Sequence, residues 1–285
     1  MGQASWFDRH YFLLRRLHSL SGVVPIGVFL IFHLTTNSSI TWGMLDSRKA
    51  AYGHGGVAAY QSEVGFIHNA PFLLLTEIFV LWLPIAFHSI LGLYYARTGK
   101  HNLHRYPYQD NWRYSLQRWS GYVGILFIFY HIATLRWGWT FLVPGGAKWD
   151  HQFAASTMAQ VLQGSAEGLT AAGVIVSLFY LLSVSLLVFH FANGLWTAAI
   201  TWGLTISHQA QRRWGRVCVA VGAAMMLAGW SSVLGFMLLD QKSARETEVR
   251  VLSGAPAEDV LQSRDGLPAE PAVGLAPAAA AVPAP

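Results

Sequence analysis

The stretch FLIFHLTT, residues 29–36, places His33 in the middle of an apolar segment that runs from about residue 20 to residue 42. An ionisable side chain inside a bilayer is costly, so an intramembrane histidine points to a function. Three further apolar stretches each carry one histidine directly after an aromatic residue: PIAFHSIL (84–91), FIFYHIAT (127–134) and LVFHFANG (187–194). These four histidines, His33, His88, His131 and His190, are enough for two axial pairs.

The composition is that of a membrane protein. Of 285 residues, 53% are hydrophobic and 12% are charged, against about 25% charged in an ordinary soluble domain. The net charge of +5 comes from basic residues that lie between apolar stretches, so we expect no nucleic-acid partner. The single cysteine, Cys218, excludes a disulfide framework and an all-protein iron–sulfur site. Any redox centre must therefore use histidine.

Five apolar segments are long enough to cross a bilayer, which takes about 20 residues of helix. They cover about residues 20–42, 72–95, 120–141, 169–202 and 217–239. The predicted fold is an all-α transmembrane bundle of five helices within residues 1–240. From Gln241 the chain turns polar and then rich in alanine and proline, and we predict that residues 241–285 are a disordered tail.

The distribution of basic residues predicts the orientation. With the N-terminus inside, one side holds eleven basic residues: Arg9, Arg15, Arg16, Arg97, Lys100, Arg105, Arg113, Arg118, Arg212, Arg213 and Arg216. The opposite loops hold Arg48, Lys49 and Lys148, with Arg136 near the end of its span. The positive-inside rule therefore predicts a cytoplasmic N-terminus and a C-terminus outside.

The four intramembrane histidines have three competing explanations. A single one would be explained by a hydrogen bond between helices, but one on each of four spans favours ligation. A carrier for a soft ion could also use them as ligands. If two histidines filled both axial positions of a haem, no position would remain for oxygen, which points to electron transfer.

Depth in the membrane divides the histidines into two levels. At about 1.5 Å per residue, His88 lies about 14 Å from the inner charged boundary, His131 about 20 Å and His33 about 25 Å. His131 therefore pairs better with His33, and His190 is assigned to His88 by elimination. A porphyrin is a flat plate that needs small residues beside its ligand, and four glycines lie on or close to the helical face of the histidine of their own span: Gly22, Gly92, Gly124 and Gly194.

Three stretches resemble one family over about residues 11–239: YFLLRRLHSLSGVVPIGVFLIFHL (11–34), FLLLTEIFVLWLPIAFHSILGLYYA (72–96) and FHFANGLWTAAITWGLT (189–205). They resemble the di-haem cytochrome b membrane anchor of succinate:menaquinone oxidoreductases and quinol:fumarate reductases. The resemblance implies two stacked b haems, with the outer iron on His33 and His131 and the inner iron on His88 and His190. It also implies a multi-pass subunit of a prokaryotic cytoplasmic membrane and of a respiratory complex II.

The same resemblance implies the partners. These are a flavoprotein with FAD, an iron–sulfur subunit and menaquinone as the substrate near the outer face. FAD and iron–sulfur clusters belong to those partners, so the chain cannot oxidise succinate by itself. Fumarate reduction by the reverse reaction stays open, as does a higher oligomer of the complex.

The quinone site is predicted from fewer residues. The position that serves the quinone in fumarate reductases has no clean match, and the nearby candidates for quinone protonation are Glu63, His68 and Gln61, with Glu63 favoured. Glu77 lies deeper and could relay protons. Haem propionates need basic or polar partners, for which we name His18 at the inner side and Arg136 at the outer side.

Overall fold

The computed structural model describes residues 6–99 and 111–257, and every regular element within these two ranges is helical. The long helices are α1 (Tyr11–Val23), α2 (Pro25–Trp42), α3 (Gly55–His68), α4 (Leu83–Thr98), α5 (Asn111–His131), α6 (Ala154–Gln163), α7 (Ala171–Thr201), α8 (His208–Met237) and α9 (Gln241–Ser253). The shorter helical segments are Trp6–Arg9, Gly43–Leu45, Ser47–Ala50, Leu73–Thr76, Thr140–Leu142, Pro144–Gly146 and His151–Phe153. Two π-helical segments, Glu77–Trp82 and Ile132–Arg136, adjoin α4 and α5.

Four stretches of helix in the described ranges are long and apolar enough to cross a membrane: Tyr11–Leu45, Leu73–Thr98, Ala171–Thr201 and His208–Met237. They match four of the five predicted spans. The first joins α1 to α2, and Pro25 fits there because it opens α2 at a position where a missing N–H costs little. The second contains the π-helical segment Glu77–Trp82 before α4.

The segment predicted as the third span is α5, which continues into the π-helical segment Ile132–Arg136. Its first two turns carry Arg113, Gln117 and Arg118, so it begins in a polar stretch. It packs along α7, and α7 also packs against α8, which in turn contacts α2. These contacts arrange α5 as a member of the same bundle.

Three helices cover one end of the bundle, which we call the capped end. They are α3, between α2 and α4, α6, between α5 and α7, and α9, after α8, and all three contact one another. The opposite end, where α1 begins and α7 ends, is the open end; there Arg16 lies over the Trp202 ring at 5.9 Å.

The prediction of a disordered segment from Gln241 is wrong for residues 241–253. These residues form α9, with Asp240 as the N-cap residue that accepts from the Ser243 N–H at 2.7 Å and Gly254 in the left-handed conformation after the last turn. The face of α9 that carries Ala244, Thr247 and Glu248 is buried. The alanine- and proline-rich remainder of the predicted tail, residues 258–285, lies outside the described residues.

The Glu248 side chain joins α9 to α6 through hydrogen bonds. Its carboxylate is fully buried and accepts hydrogen bonds from the Ala155 and Ser156 N–H groups at 2.6 and 3.0 Å and from the Ser156 hydroxyl at 2.5 Å. Burial raises the pKa of Glu248, while the bonds from Ser156 and Ala155 oppose that rise. The carboxylate supplies the acceptors that the first turn of α6 lacks.

We expect Glu248→Ala to loosen the capped end, because two buried N–H groups would lose their acceptor at a cost of about 1–3 kcal/mol each. Hydrogen exchange should accelerate at the first amides of α6, and the melting temperature should fall. Glu246→Ala, on the exposed face of the same helix, is the matched control. Equal α6 protection in the two variants would contradict this role for Glu248.

Candidate functional site

The four intramembrane histidines form two pairs in the folded chain. The His33 and His131 rings have centroids 5.7 Å apart at an interplanar angle of 89°. The His88 and His190 rings are 6.1 Å apart at 79°. Each pair joins two helices, and these are the pairs named in the sequence analysis, the first from depth and the second by elimination. The His33–His131 pair lies toward the capped end and the His88–His190 pair toward the open end.

Both histidines of the open-end pair are oriented by backbone carbonyls. His88 Nδ1 lies 3.0 Å from the His18 carbonyl oxygen, and His190 Nδ1 lies 3.0 Å from the Gln117 carbonyl oxygen. Because a carbonyl can only accept, each Nδ1 carries the hydrogen and donates it. The lone pair is then on Nε2 in both rings, which is the tautomer a metal-binding histidine adopts when its other nitrogen donates to a carbonyl.

The two rings rest in seats of the same design, formed by HSLSG (18–22) and QRWSG (117–121). Ser21 donates to the His18 carbonyl at 2.9 Å and lies 3.4 Å from His88 Nδ1. Ser120 donates to the Gln117 carbonyl at 3.0 Å and lies 3.1 Å from His190 Nδ1. In each seat, one helix therefore supplies a carbonyl and a serine hydroxyl to the histidine of another.

A glycine completes each seat. A Cβ at Gly22 would lie 2.5 Å from His88 Cε1, and a Cβ at Gly121 would lie 3.2 Å from His190 Cε1. Gly22 was expected to leave room for a porphyrin beside His33, but it faces the His88 ring of another span. Gly124 faces Leu187. Gly121 was missed because the partner ring comes from a distant part of the sequence.

Aromatic side chains surround the capped-end pair. Phe29 stacks on His33 at 5.2 Å, and Phe127 lies 5.6 Å from His131. The buried Tyr180 hydroxyl lies 3.4 Å from His131 Nδ1. This pair is thus enclosed mainly by rings, and its one neighbouring phenol can accept from the His131 N–H.

The residues present fit haem. No group of three His, Cys, Asp or Glu side chains converges within residues 6–99 and 111–257, so each imidazole pair suits a metal whose other positions are filled by a planar macrocycle. Because an imidazole nitrogen binds a first-row metal at about 2 Å, two axial rings have centroids about 6 Å apart. The observed separations of 5.7 and 6.1 Å agree with this value.

Several buried polar atoms near the open end have no hydrogen-bond partner among the described residues: His18 Nε2, Tyr95 Oη, and Arg118 Nε and Nη1. The His18 ring stacks on His88 at 4.0 Å and 11°, and Tyr95 meets it edge-on at 5.5 Å. Buried donors of this kind suit carboxylate groups such as haem propionates. His18 was expected in that role from sequence, whereas Tyr95 was not.

Glu63 lies near the capped-end pair. Its half-buried carboxylate interacts with the side chain of Thr36, one helical turn after His33, and with the charge of Lys49. Burial raises the pKa of Glu63, and the Thr36 and Lys49 interactions oppose that rise. Gln61, the neighbouring candidate, bridges the chain before α6 through the His151 carbonyl and the Ala154 N–H.

His68 and Arg136 lie near each other at the capped end. The exposed His68 ring stacks on His151 at 3.6 Å and 16°. Desolvation is the main cause that lowers the pKa of His68, and the positive neighbours His151 and Arg136 add to it. Arg136 forms a bidentate pair with Glu77, with Nε to Oε1 at 3.3 Å and Nη2 to Oε2 at 2.9 Å.

One known protein is similar over most of this chain. The succinate dehydrogenase cytochrome b558 subunit of Bacillus subtilis is 31% identical over 226 residues, which is 79% of this chain and 97% of that protein. No protein-family model matches the sequence, and no solved structure matches it.

The two seats predict which small substitutions release haem. Gly22→Ala and Gly121→Ala should displace His88 and His190, with the larger effect at Gly22 where the added Cβ comes closer. Losing a group that orients a ligand typically weakens metal affinity about 10- to 100-fold. A pyridine haemochrome assay on the purified complex should show less haem per chain. Gly65→Ala is the control, since nothing lies within 4 Å of its Cβ position; equal haem in all three variants would disprove the seats.

Proposed function

Because the chain belongs to the family of succinate dehydrogenase cytochrome b subunits, we propose that it anchors such a complex in the membrane and carries electrons from an iron–sulfur partner to menaquinone. Two haems b, bound when the complex is assembled, would supply the one-electron relay. The observation that carries the proposal is the arrangement of four imidazoles as two pairs at different depths, each with the ring separation that an axial pair needs.

His88 and His190 hold the inner position in this proposal, and His33 and His131 hold the outer one. The carbonyls of His18 and Gln117 keep the inner rings in the Nε2-binding tautomer. The unpartnered donors of Tyr95 and Arg118, together with His18, would hold the inner propionates. Each ligand is thus oriented before any cofactor arrives, which limits the reorganisation that accompanies electron transfer.

The proposed topology follows from the two ends of the bundle. The open end carries Arg16, Arg113 and the basic start of α8, so we place it at the cytoplasm, where the flavoprotein and the iron–sulfur subunit would dock. The helix α5, which begins in a polar stretch, is the third of five spans in this proposal. The capped end and the C-terminus then lie outside.

At the outer side, reduction of a quinone consumes protons, so an acid that can reach water is needed. Glu63 is suited to this because it is half-buried beside Thr36 and near the His33 level. Its raised pKa keeps the carboxyl protonated at a higher pH than an ordinary glutamate. His68, exposed and close to Arg136, is the second candidate. Its lowered pKa means that the ring carries the proton to be donated only at a lower pH than an ordinary histidine does.

The direction of the reaction is proposed as succinate to menaquinone. The relative is named for succinate dehydrogenase, and that name favours this direction over fumarate reduction. Succinate-driven reduction of a menaquinone analogue by the complex in membrane vesicles, with and without a membrane potential, tests the proposal. Measurable reduction is expected, whereas no reduction under either condition would refute it.

Glu63→Gln should slow menaquinone reduction by about 10²- to 10⁴-fold, a range typical of losing one acid–base group. The raised pKa of Glu63 determines how the rate of menaquinone reduction changes with pH. In the unmodified complex the rate should fall as the pH rises through the Glu63 pKa, because the proton donor is lost.

The variant should lack that fall within the same pH range. Glu167→Gln, an exposed carboxylate of the loop before α7, is the matched control and should keep the rate and the pH profile. An unchanged profile in Glu63→Gln would remove Glu63 from the proton path and favour His68.

A further inference from the structure

Two π-helical segments face each other at the capped end of the bundle. Glu77–Trp82 belongs to the second span and Ile132–Arg136 to the third. Such segments are rare and occur often at functional sites. The chain entering the second span adds a further irregularity, because Phe72 has a φ of 58°, a left-handed conformation that is uncommon for a bulky residue. Irregular backbone is thus concentrated where these spans meet.

The Glu77–Arg136 pair joins the two segments. Glu77 is the first residue of one and Arg136 the last of the other. The Glu77 side chain is 17% exposed and that of Arg136 is 54% exposed. A carboxylate that is largely enclosed therefore holds a guanidinium at the surface of the bundle.

This pairing fixes the guanidinium without using all of its donors. Glu77 accepts from Nε and Nη2, which leaves the Nη1 amino group for another acceptor. Because the fork of an arginine is planar and rigid, two bonds to the carboxylate define where the remaining N–H groups point. The result is a positioned hydrogen-bond donor at the membrane interface.

Aromatic rings flank this donor. Trp137 follows Arg136 in the chain, and its ring lies 5.6 Å from Trp82, the last residue of the other π-helical segment. Both tryptophans are partly exposed, as is Phe79, three residues before Trp82 in the second span. Flat apolar rings beside a fixed donor suit a flat ring that carries carbonyl groups and has an apolar tail.

We propose that this surface, formed by Glu77, Trp82, Arg136 and Trp137, binds the head group of a lipid-soluble quinone. The Arg136 guanidinium donates to one quinone carbonyl, Glu77 holds that guanidinium in place, and the tryptophans contact the ring. The isoprenoid tail extends into the bilayer past the exposed Phe79. The proposal rests on the proposed function and names its quinone site.

The site also has charged neighbours that are accessible to water. His68 interacts electrostatically with both Arg136 and Glu77, and His68 stacks on His151, which lies 3.6 Å from Asp150. These groups connect the proposed head-group site to the aqueous surface. Arg136 is the fixed donor of the site, because a guanidinium has donor groups and no acceptor.

Arg136→Gln in the full complex tests the proposal. The KM for a short-tailed naphthoquinone should rise at least tenfold with a smaller change in kcat, since hydrogen bonds from a charged donor are the strong ones. Equilibrium dialysis with the same naphthoquinone should show the same loss of affinity. Haem content and both haem potentials should stay as they are in the unmodified complex.

Two further variants define the role of the pair. Glu77→Gln frees the guanidinium and should raise KM less than Arg136→Gln. Lys148→Gln removes a positive charge from the same end of the bundle, at a residue whose stem lies near Gly138, and should leave KM unchanged.

Each remaining outcome contradicts the proposal in a different way. If Arg136→Gln leaves KM and naphthoquinone binding unchanged, the quinone site lies elsewhere. If it instead shifts the potential of the outer haem while KM is unchanged, Arg136 holds a propionate, as the sequence led us to expect. If the unmodified complex binds no haem and reduces no quinone, the proposed function itself fails.

Discussion

The structure depends on one constraint: a histidine inside a membrane needs partners for both of its ring nitrogens. In water the second nitrogen finds a solvent molecule, but in hydrocarbon an unsatisfied polar group costs several kcal/mol. In His88 and His190, a carbonyl and a serine hydroxyl from another helix both lie at Nδ1 and satisfy that one nitrogen. The partner of Nδ1 then determines that Nε2 is the nitrogen left to bind a metal. Ligand chemistry and helix packing are therefore set by the same contacts.

The two seats also explain part of the arrangement of the bundle. In each seat, a Ser-Gly pair on one helix contacts the histidine ring of another helix. The helix α1 must therefore lie beside His88, and α5 must lie beside His190. Neither glycine can carry a side chain without moving the ring against it, which ties the distance between helices to the position of the ligand. At the opposite end, α3, α6 and α9 cover the bundle, and Glu248 joins two of these helices.

The apolar helices and the two levels of histidines could be predicted from the sequence because both depend on residues close together in the chain. Apolar length gave the spans, and rise per residue separated His88 from His33 and His131. The cross-helix partners could not be predicted in the same way. Nothing near His88 in the chain indicates that Ser21 and Gly22 will contact it, and nothing near Arg136 indicates its pairing with Glu77. The helix α9 was missed for a related reason: it is polar as a sequence and folds because Glu248 finds its donors on α6, about ninety residues earlier.

The central claim is that the four imidazoles are two axial pairs. A pyridine haemochrome assay combined with a redox titration of the purified complex tests it most directly. Two haems b per chain are expected, with reduced-minus-oxidised bands of a b-type cytochrome that titrate as two components. A colourless, haem-free complex would contradict it, and would instead favour a carrier that uses its intramembrane histidines for another ion.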